Sequence, residues 1–415
     1  MRASARICDV LAQINGRRPF EEPCHTTIQN FILRIGLYLV QQRVLHRADW
    51  IWIIDHTIGA GTTKCLVVLG IEQSNYVKLG RALQHRDLET LALIPVEQSN
   101  GVIVHEQLQE LSDRCGAPLA VLSDHGSDLK KGVELLQVDH PELIALYDIV
   151  HLVSCLIEKF LKRDQQWDQY RQACCRCANA VRQNKLAHLK PPRPKTKARY
   201  MNIDREVRWG ARALGVLDRV RAGELSDRQK QRLPLAQIEE KLGWLEEFRS
   251  AIGDWMELSS LGQRTNGVIR RHGYAAGTVE ILRHELGQPA GAHSHQLACQ
   301  IIEKVTSMCQ AVGADRKLPG SSEVLESLIG KGKRLLGQSN SNSLTRQVLA
   351  MATATAELTP NLIRTALSSC HIKDLKQWCL EHLQPGVHRD RREDLRPTRK
   401  EENLRNANPA AMPNF

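Results

Sequence analysis

The segment spanning residues 50–151 constrains the fold more than any other, because there the pattern changes from helical to strand-like. It begins with a β-rich apolar run at 50–54, and a glycine turn separates this run from a second one at 65–71. Two such runs joined by a glycine turn predict a β-hairpin. Further strands are predicted at 91–96, 118–122 and 143–146, with helices at 102–114 and 128–138.

The resulting order of elements, β-β-β-α-β-α-β, predicts a mixed sheet. The first three strands can meander, whereas the last two each follow a helix and therefore join the sheet through crossover connections. Helices then cover the faces of the sheet. This is the order of the ribonuclease H fold, so we predict an α/β chain in which residues 50–151 form the first part of a ribonuclease H-like core.

The rest of the chain has a helical pattern. Residues 1–49 fit either a partial helix-turn-helix for DNA binding or a helical cap, because the break between the two helices is longer than a standard turn. Residues 152–320 contain long amphipathic stretches without clear strands, which predicts an all-α insertion splitting the core. Residues 321–383 are predicted to complete the core, and the charge-balanced tail at 384–415 to be disordered.

The net charge of +11, from 57 basic and 46 acidic residues, indicates a polyanionic partner but does not by itself identify nucleic acid. The uncancelled positive run lies at 185–199, where prolines keep the backbone extended. Lys195, Lys197 and Arg199 are therefore candidate contacts to DNA phosphates. A solvated loop is the alternative for this segment.

Cysteine usage and hydropathy favour a soluble cytoplasmic protein. Twelve cysteines are dilute in 415 residues and lie mostly in apolar segments, as in a reduced protein. The cluster Cys174, Cys175 and Cys177 lacks a second pair at zinc-ligand spacing, so ordinary helix-face cysteines are favoured over a zinc site. No apolar run is long enough to cross a bilayer, and the N-terminus lacks the apolar region of a secretory signal. We expect no membrane partner.

Two aspartates follow strands that are neighbours in such a sheet. Asp55 ends the first strand and Asp124 the fourth, so both carboxylates are expected in one cleft. Clustered carboxylates raise each other's pKa unless a cation neutralises them, and hard oxygen ligands favour Mg²⁺ or Mn²⁺. A third carboxylate is available from Glu323 or Glu326 on a predicted helix over 323–336, and we favour Glu326.

Each of these residues also has a simpler interpretation. Strand-end aspartates often cap turns, and Asp128 competes weakly with Asp124 but is expected to cap the helix that it opens. His56 and His125, which follow the two aspartates, are interpreted as exposed strand-end residues rather than as phosphate contacts.

Two strand-end aspartates and a glutamate after a long helical insertion resemble the DDE triad of bacterial insertion-sequence transposases. The motif Asp148-Ile-Val-His151 is similar to the [CD]-x-x-H motif that several DDE families carry just before the insertion. The basic residue Lys333, seven positions after Glu326, is similar to the catalytic-helix signature of those families. The resemblance covers both parts of the predicted core. The insertion is similar to that of the family only in its length.

The resemblance implies a two-metal mechanism with Mg²⁺ or Mn²⁺. Water hydrolyses a phosphodiester at a transposon end, and the freed 3′-hydroxyl then attacks target DNA. Asp55 would bridge both ions, Asp124 would hold one and Glu326 the other. Asp148 and His151 would position the core, and a local helix cap is the simpler interpretation of that pair.

The resemblance also implies the partners. Lys331 and Lys333 would contact DNA phosphates, and the DNA would be terminal inverted repeats together with target DNA. A homodimer is expected because two transposon ends must be paired, and the bacterial protein would associate with the nucleoid when bound to DNA. Two alternatives stay open: a ribonuclease H-like nuclease without strand transfer, and a degraded transposase that only binds DNA.

Overall fold

The protein is described from a computed structural model, which covers residues 24–42, 46–58, 63–193, 203–232, 234–337 and 345–383. The strands are β1 (Trp50–Ile58), β2 (Lys64–Glu72), β3 (Glu89–Val96), β4 (Ala120–Ser123), β5 (Ile144–Tyr147), β6 (Tyr274–Ala275) and β7 (Lys317–Leu318). The α-helices are α1 (His25–Leu37), α2 (Gln73–Lys78), α3 (Gly101–Cys115), α4 (Ser127–Asp139), α5 (Ile149–Leu161), α6 (Gln165–Val181), α7 (Ile203–Arg221), α8 (Asp227–Arg232), α9 (Leu235–Leu242), α10 (Arg249–His272), α11 (Thr278–Leu286), α12 (Ala292–Val312), α13 (Glu323–Gly337), α14 (Pro360–Ser369) and α15 (Ile372–His382). Shorter helical turns lie at Tyr38–Gln42, His85–Asp87, Ala187–Leu189, Gly243–Phe248 and Arg346–Ala354.

The first five strands form one mixed sheet in the order β3-β2-β1-β4-β5. Strand β2 is antiparallel to β1 and β3, whereas β4 is parallel to β1 and β5 to β4. The ribonuclease H-like α/β class predicted from the order of elements is therefore confirmed. Strand β1 continues to Ile58, so Asp55 lies inside the strand, and the prediction that it ends the strand is wrong.

Both faces of the sheet are buried, and this explains why its central strands are continuous apolar runs. Side chains alternate between the faces along β1. Ile51 and Ile53 belong to the larger core, which includes the helices of the insertion. Trp52 and Ile54 belong to a smaller core beneath α3 and α4.

In its described residues, the insertion between β5 and α13 consists of helices and turns, together with a ribbon of two strands that have two residues each. Its first helical segment is split into α5 and α6, and Asp164 caps α6 by accepting a hydrogen bond from the backbone N–H of Gln166 at 2.9 Å. The ribbon, which the helical pattern did not predict, pairs Tyr274 of β6 with Leu318 of β7. The hydroxyl of Tyr274 donates to the carbonyl oxygen of Tyr147 at 2.7 Å. The ribbon therefore returns the chain to the sheet just before α13.

Aromatic side chains fill the centre of the insertion. Trp167 and Trp255 are both 2% exposed, and their rings meet edge to face with centroids 4.9 Å apart. Cys174 and Cys177 are buried on α6. Burial raises the pKa of the Cys174 thiol to about 12, as is typical of a cysteine packed in a core.

The first described helix, α1, packs against the C-terminal helices. The guanidinium of Arg34 donates to the carbonyl oxygen of Cys370 at 2.6 Å. A Cβ atom at Gly36 would lie 2.1 Å from the carbonyl oxygen of Leu349, so only glycine permits this close approach. The other helix of the predicted helix-turn-helix, before residue 24, lies outside the described residues. In the described part of the chain, none of the helices is both long and apolar enough to span a membrane.

Candidate active site

The parallel pairing of β1 and β4 decides which acidic side chains meet. The last paired residues of the two strands are Ile53 and Leu122. Two positions further along come Asp55 and Asp124, and side chains return to the same face of a strand every two residues. Both carboxylates therefore lie on the side of the sheet that faces the larger core, where α13 packs against β1.

The surroundings of Asp55 disfavour its charge. Burial and the negative charge of Asp124 raise the pKa of Asp55 to about 7. The negative charge of Glu326 adds to this increase. The backbone N–H of His56, which donates to Oδ1 of Asp55 at 2.6 Å, and the charge of His151 act in the opposite direction. A nearby cation would allow Asp55 to ionise at neutral pH.

A tight turn after β4 orients Asp124. The backbone N–H of Gly126 donates to Oδ1 of Asp124 at 2.8 Å. His125, between them, has a φ of 55°, a left-handed conformation that is uncommon outside glycine. Its ring stacks on Tyr147 with centroids 4.1 Å apart and planes within 4°. His125 is partly buried and the side chain of His56 is only 7% exposed, so the interpretation of both as exposed residues is wrong.

Helix α13, which packs against β1, brings Glu326 to the same side of the sheet. Its Oε1 lies 3.9 Å from Nδ1 of His151 and, although buried, has no hydrogen-bond partner. Burial raises the pKa of Glu326, His151 opposes the increase, and neighbouring acids including Asp148 and Asp124 add to it. A buried carboxylate oxygen without a donor is costly unless a cation or a proton satisfies it.

Glu323, one turn earlier on α13, has a different environment. Its Oε2 lies 2.7 Å from Nε of Arg270 at the end of α10. Glu326, by contrast, acts electrostatically on both Asp55 and His151. Glu326 therefore lies near enough to Asp55 to act on its charge, whereas Glu323 is paired with Arg270. The ligand atoms of Asp55, Asp124 and Glu326 do not all lie within 4.8 Å of one another.

The fully buried Asp148 joins three separate segments. Its backbone N–H donates to the carbonyl oxygen of Ser123 at 2.9 Å. Its Oδ1 accepts from the backbone N–H of His151 at 2.9 Å, and its Oδ2 accepts from the backbone N–H of Ser322 at 2.6 Å. Ser322 is 174 positions later in the chain and directly precedes α13. Asp148 thus caps α5 and also holds the start of the helix that carries Glu326.

His151 links Asp148 to Glu326. Each of these three residues offers one potential ligand atom that lies within 4.8 Å of the other two. Among the described residues, no other group of three His, Cys, Asp or Glu side chains has this spacing. Although burial disfavours the charged imidazole, the hydrogen bond and charge of Asp148 raise the pKa of His151 to about 9. A protonated imidazole has no lone pair for a metal. Without a bound cation, this group is therefore an ion pair of His151 with Asp148, beside Glu326.

A second polar cluster occupies the other side of β1. Asp128 accepts hydrogen bonds from Nζ of Lys64 at 2.9 Å and from Oγ of Ser99 at 2.7 Å. Although burial opposes ionisation, these hydrogen bonds lower the pKa of Asp128 to about 2. Asp128 is therefore ionised and already held by Lys64 and Ser99. The residue at the cap of α4 is Gly126, so the expectation that Asp128 caps this helix is wrong.

The predicted DNA contacts of α13 lie on different faces. Lys331 and Lys333 are both exposed. Nζ of Lys331 donates to Nδ1 of His85 at 2.8 Å. Lys333, two helical turns after Glu326, lies on the face of the carboxylate site. The remaining predicted contacts lie outside the described residues and stay predictions: Lys195, Lys197 and Arg199.

No protein-family model matches the chain, and no curated protein matches it. Among solved structures, the chain is similar to a chain of the Drosophila P element transposase strand transfer complex. That similarity covers 83% of this chain and 87% of the other, at 11% sequence identity and a TM-score of 0.38. Because the identity and the TM-score are both low, we infer the function of this chain from its own residues.

Proposed function

We propose that this protein is a metal-dependent DNA transposase, which cleaves phosphodiester bonds at transposon ends and transfers the freed 3′-hydroxyl into target DNA. One observation carries the proposal. Asp55 in β1 and Asp124 just after β4 lie two positions beyond the last paired residues of these adjacent parallel strands and on the same face of the sheet, and Glu326, on the helix that packs against β1, has a buried oxygen that has no donor.

The donor set fits a hard divalent cation. Three carboxylates supply oxygen ligands only, which is the chemistry that Mg²⁺ and Mn²⁺ prefer. The unpartnered Oε1 of Glu326 is the kind of atom that a bound cation satisfies. Asp55, Asp124 and Glu326 would hold two such ions. When bound, the ions would lower the pKa of a water nucleophile and neutralise the charge that develops on the phosphodiester.

The other residues of the site act by position and charge. Asp148 fixes the start of α13 relative to the strand that precedes Asp124. His151, held in its charged form by Asp148, lies 3.9 Å from Oε1 of Glu326 and offsets part of its charge. Lys333, on the same face of α13, is suited to hold a DNA phosphate as a point charge. A pair of protomers, one for each transposon end, remains part of the proposal.

The test compares variants of the full chain on a supercoiled plasmid that carries the DNA flanking the coding sequence. We expect Asp55→Asn and Glu326→Gln each to lower Mg²⁺-dependent nicking by at least about 100-fold, since each removes a group that holds the metal. Glu134→Gln removes an exposed carboxylate of α4 that pairs with Lys130 and Lys131, and it serves as the matched control.

Nicking that survives in Asp55→Asn would overturn the proposed site. Loss of nicking in Glu323→Gln but not in Glu326→Gln would show that the third carboxylate is Glu323. Joined products between a 3′-hydroxyl oligonucleotide and the plasmid separate a transposase from a nuclease. Salt-sensitive DNA binding without any nicking by the wild-type protein would identify a protein that only binds DNA.

A further inference from the structure

A groove of about 620 Å³ lies beside the carboxylate site, on the neighbouring face of α13. The end of α10, the turn at His85–Asp87 and the segment before α13 form its other walls. Arg86 and Arg270 line it, and its polar lining also includes the hydroxyl groups of Ser321 and Ser327. Asp55, Asp124 and Glu326 do not line this groove, so it is distinct from the carboxylate site.

One helix separates the groove from the carboxylate site. Val324 and Ser327 line the groove, and Lys331 continues their stripe at i, i+3 and i+7. Glu326 and Lys333 form the adjacent stripe, which faces the carboxylates. Because an α-helix with its side chains is about 10–12 Å across, a strand that leaves the carboxylate site reaches the groove within a short distance.

The groove has an excess of positive charge. The Nε2 of His85 donates to the carbonyl oxygen of Val324 at 3.2 Å, so its Nδ1 is left as the acceptor for Nζ of Lys331. His85 is therefore neutral and holds the Lys331 ammonium at the rim. The charged groups here are then Lys331, Arg86 and Arg270, opposed by the carboxylate of Glu323.

We propose that this groove binds a nucleotide of an unpaired DNA strand that flanks the phosphodiester held at the carboxylate site. This inference rests on the proposed function, and it specifies where the DNA strand runs after it leaves the carboxylate site. A concave volume of about 620 Å³ is the size of a small-ligand pocket, which suits a nucleotide and not a duplex. The cations bind its phosphate, and the hydroxyls of Ser321 and Ser327 face the rest of the nucleotide.

The pair formed by Arg270 and Glu323 decides the affinity of the groove. Their side chains are 50% and 37% exposed, and Nε of Arg270 lies 2.7 Å from Oε2 of Glu323. A guanidinium binds phosphate through two parallel hydrogen bonds, and the same donors are partly occupied by Glu323. The carboxylate also repels a phosphate. Removing the two side chains should therefore have opposite effects on binding.

The experiment measures the binding of labelled duplex oligonucleotides, with and without a single-stranded extension, to the full chain in EDTA. The quantity of interest is the gain in affinity that the extension provides. We expect Arg270→Ala to reduce that gain by about tenfold, because it removes a charge-assisted hydrogen bond to phosphate. The slope of log affinity against log salt should become shallower by about 0.7 for each phosphate that the variant no longer neutralises.

Two further variants make the test specific. Glu323→Gln should increase the gain in affinity that the single-stranded extension provides. The amide is neutral, so it neither repels the phosphate nor forms an ion pair with Arg270. Arg271→Ala removes an exposed arginine from the next position of α10, outside the groove, and should keep the gain. Equal losses in Arg270→Ala and Arg271→Ala would overturn the proposal, as would a decrease in Glu323→Gln when its thermal unfolding is unchanged.

The outcome separates the groove from the carboxylate site. An extension-dependent gain in a protein that never nicks DNA would retain the groove and refute the transposase activity. Nicking without such a gain would retain the activity and refute the groove. A free mononucleotide that binds and is lost in Arg270→Ala, while the extension contributes nothing, would assign the groove to a soluble nucleotide and overturn the strand proposal.

Discussion

Two clusters of polar side chains flank β1 at the same end of the sheet, and they differ in how their charges are balanced. On one side Asp128 is satisfied by Lys64 and Ser99, and its pKa falls to about 2. On the other side Asp55 is partly buried near Asp124, and its pKa rises to about 7. Carboxylates satisfied by the protein stabilise the fold, whereas carboxylates packed together without a cation are an expensive arrangement that ion binding would relieve.

The largest effect is expected at Asp55. A carboxyl group whose pKa rises on folding, here from 3.8 to about 7, binds more protons in the folded state than in the unfolded state. The metal-free protein should therefore lose stability as the pH rises from about 4 to about 7. We expect Asp55→Asn to escape this loss and, at pH 8 in EDTA, to raise the free energy of unfolding by about 2–4 kcal/mol.

Urea unfolding of both proteins at pH 5 and pH 8 measures this difference. Added Mg²⁺ should stabilise the wild-type protein at pH 8 and should have a smaller effect on Asp55→Asn, because ligand binding to the folded state raises stability by mass action. Identical pH profiles of the wild type and the variant would mean that Asp55 does not carry the unfavourable charge, and the contrast between the two clusters would disappear.

An effect of opposite sign is expected at Asp128. Its pKa is lowered on folding, so its contribution is present above pH 4 and is lost as the pH falls through about 2. We expect Asp128→Asn to lower the free energy of unfolding at pH 7 by about 1–2 kcal/mol, since the group is partly exposed to solvent. Chemical denaturation checks the loss. If this variant also weakened stabilisation by Mg²⁺, Asp128 would belong to the metal site.

The smallest effect is expected at His125, whose left-handed backbone and stacked ring hold the turn beside Asp124. His125→Ala keeps the unfavourable φ and loses the stack, which should cost about 1 kcal/mol. His125→Gly loses the stack but relieves the backbone, so it should be about 1 kcal/mol more stable than the alanine variant. Thermal unfolding ranks the two variants, and an alanine variant as stable as the glycine variant would contradict the strain.

The strands could be predicted because their signal is local. The apolar runs at 50–54 and 65–71 coincide with β1 and β2, since a strand buried on both faces needs apolar side chains at every position. The short helix α2 was missed because its six residues, Gln73–Lys78, carry too little periodicity to be recognised. The ribbon of β6 and β7 was missed for the same reason, as each strand has only two residues.

The choice between Glu323 and Glu326 shows what spacing cannot decide. Both acids lie in the first turn of α13, so the pattern alone predicts either. The partners that separate them, Arg270 and His151, come from helices far away in the chain. The hydrogen bond from Ser322 to Asp148 spans 174 positions, and no local signal reports it.

The amino-acid pattern predicted the strands and helices of residues 50–151, because strand periodicity depends only on neighbours in the chain. The expectation that Asp55 and Asp124 lie close together came from the ribonuclease H-like order of those elements. Which carboxylates are satisfied and which are left without a donor was decided by the tertiary structure. That balance depends on groups brought together from distant segments, such as Lys64 beside Asp128 and His151 beside Glu326. Burial then sets whether a charge is costly, and burial exists only after the chain has folded.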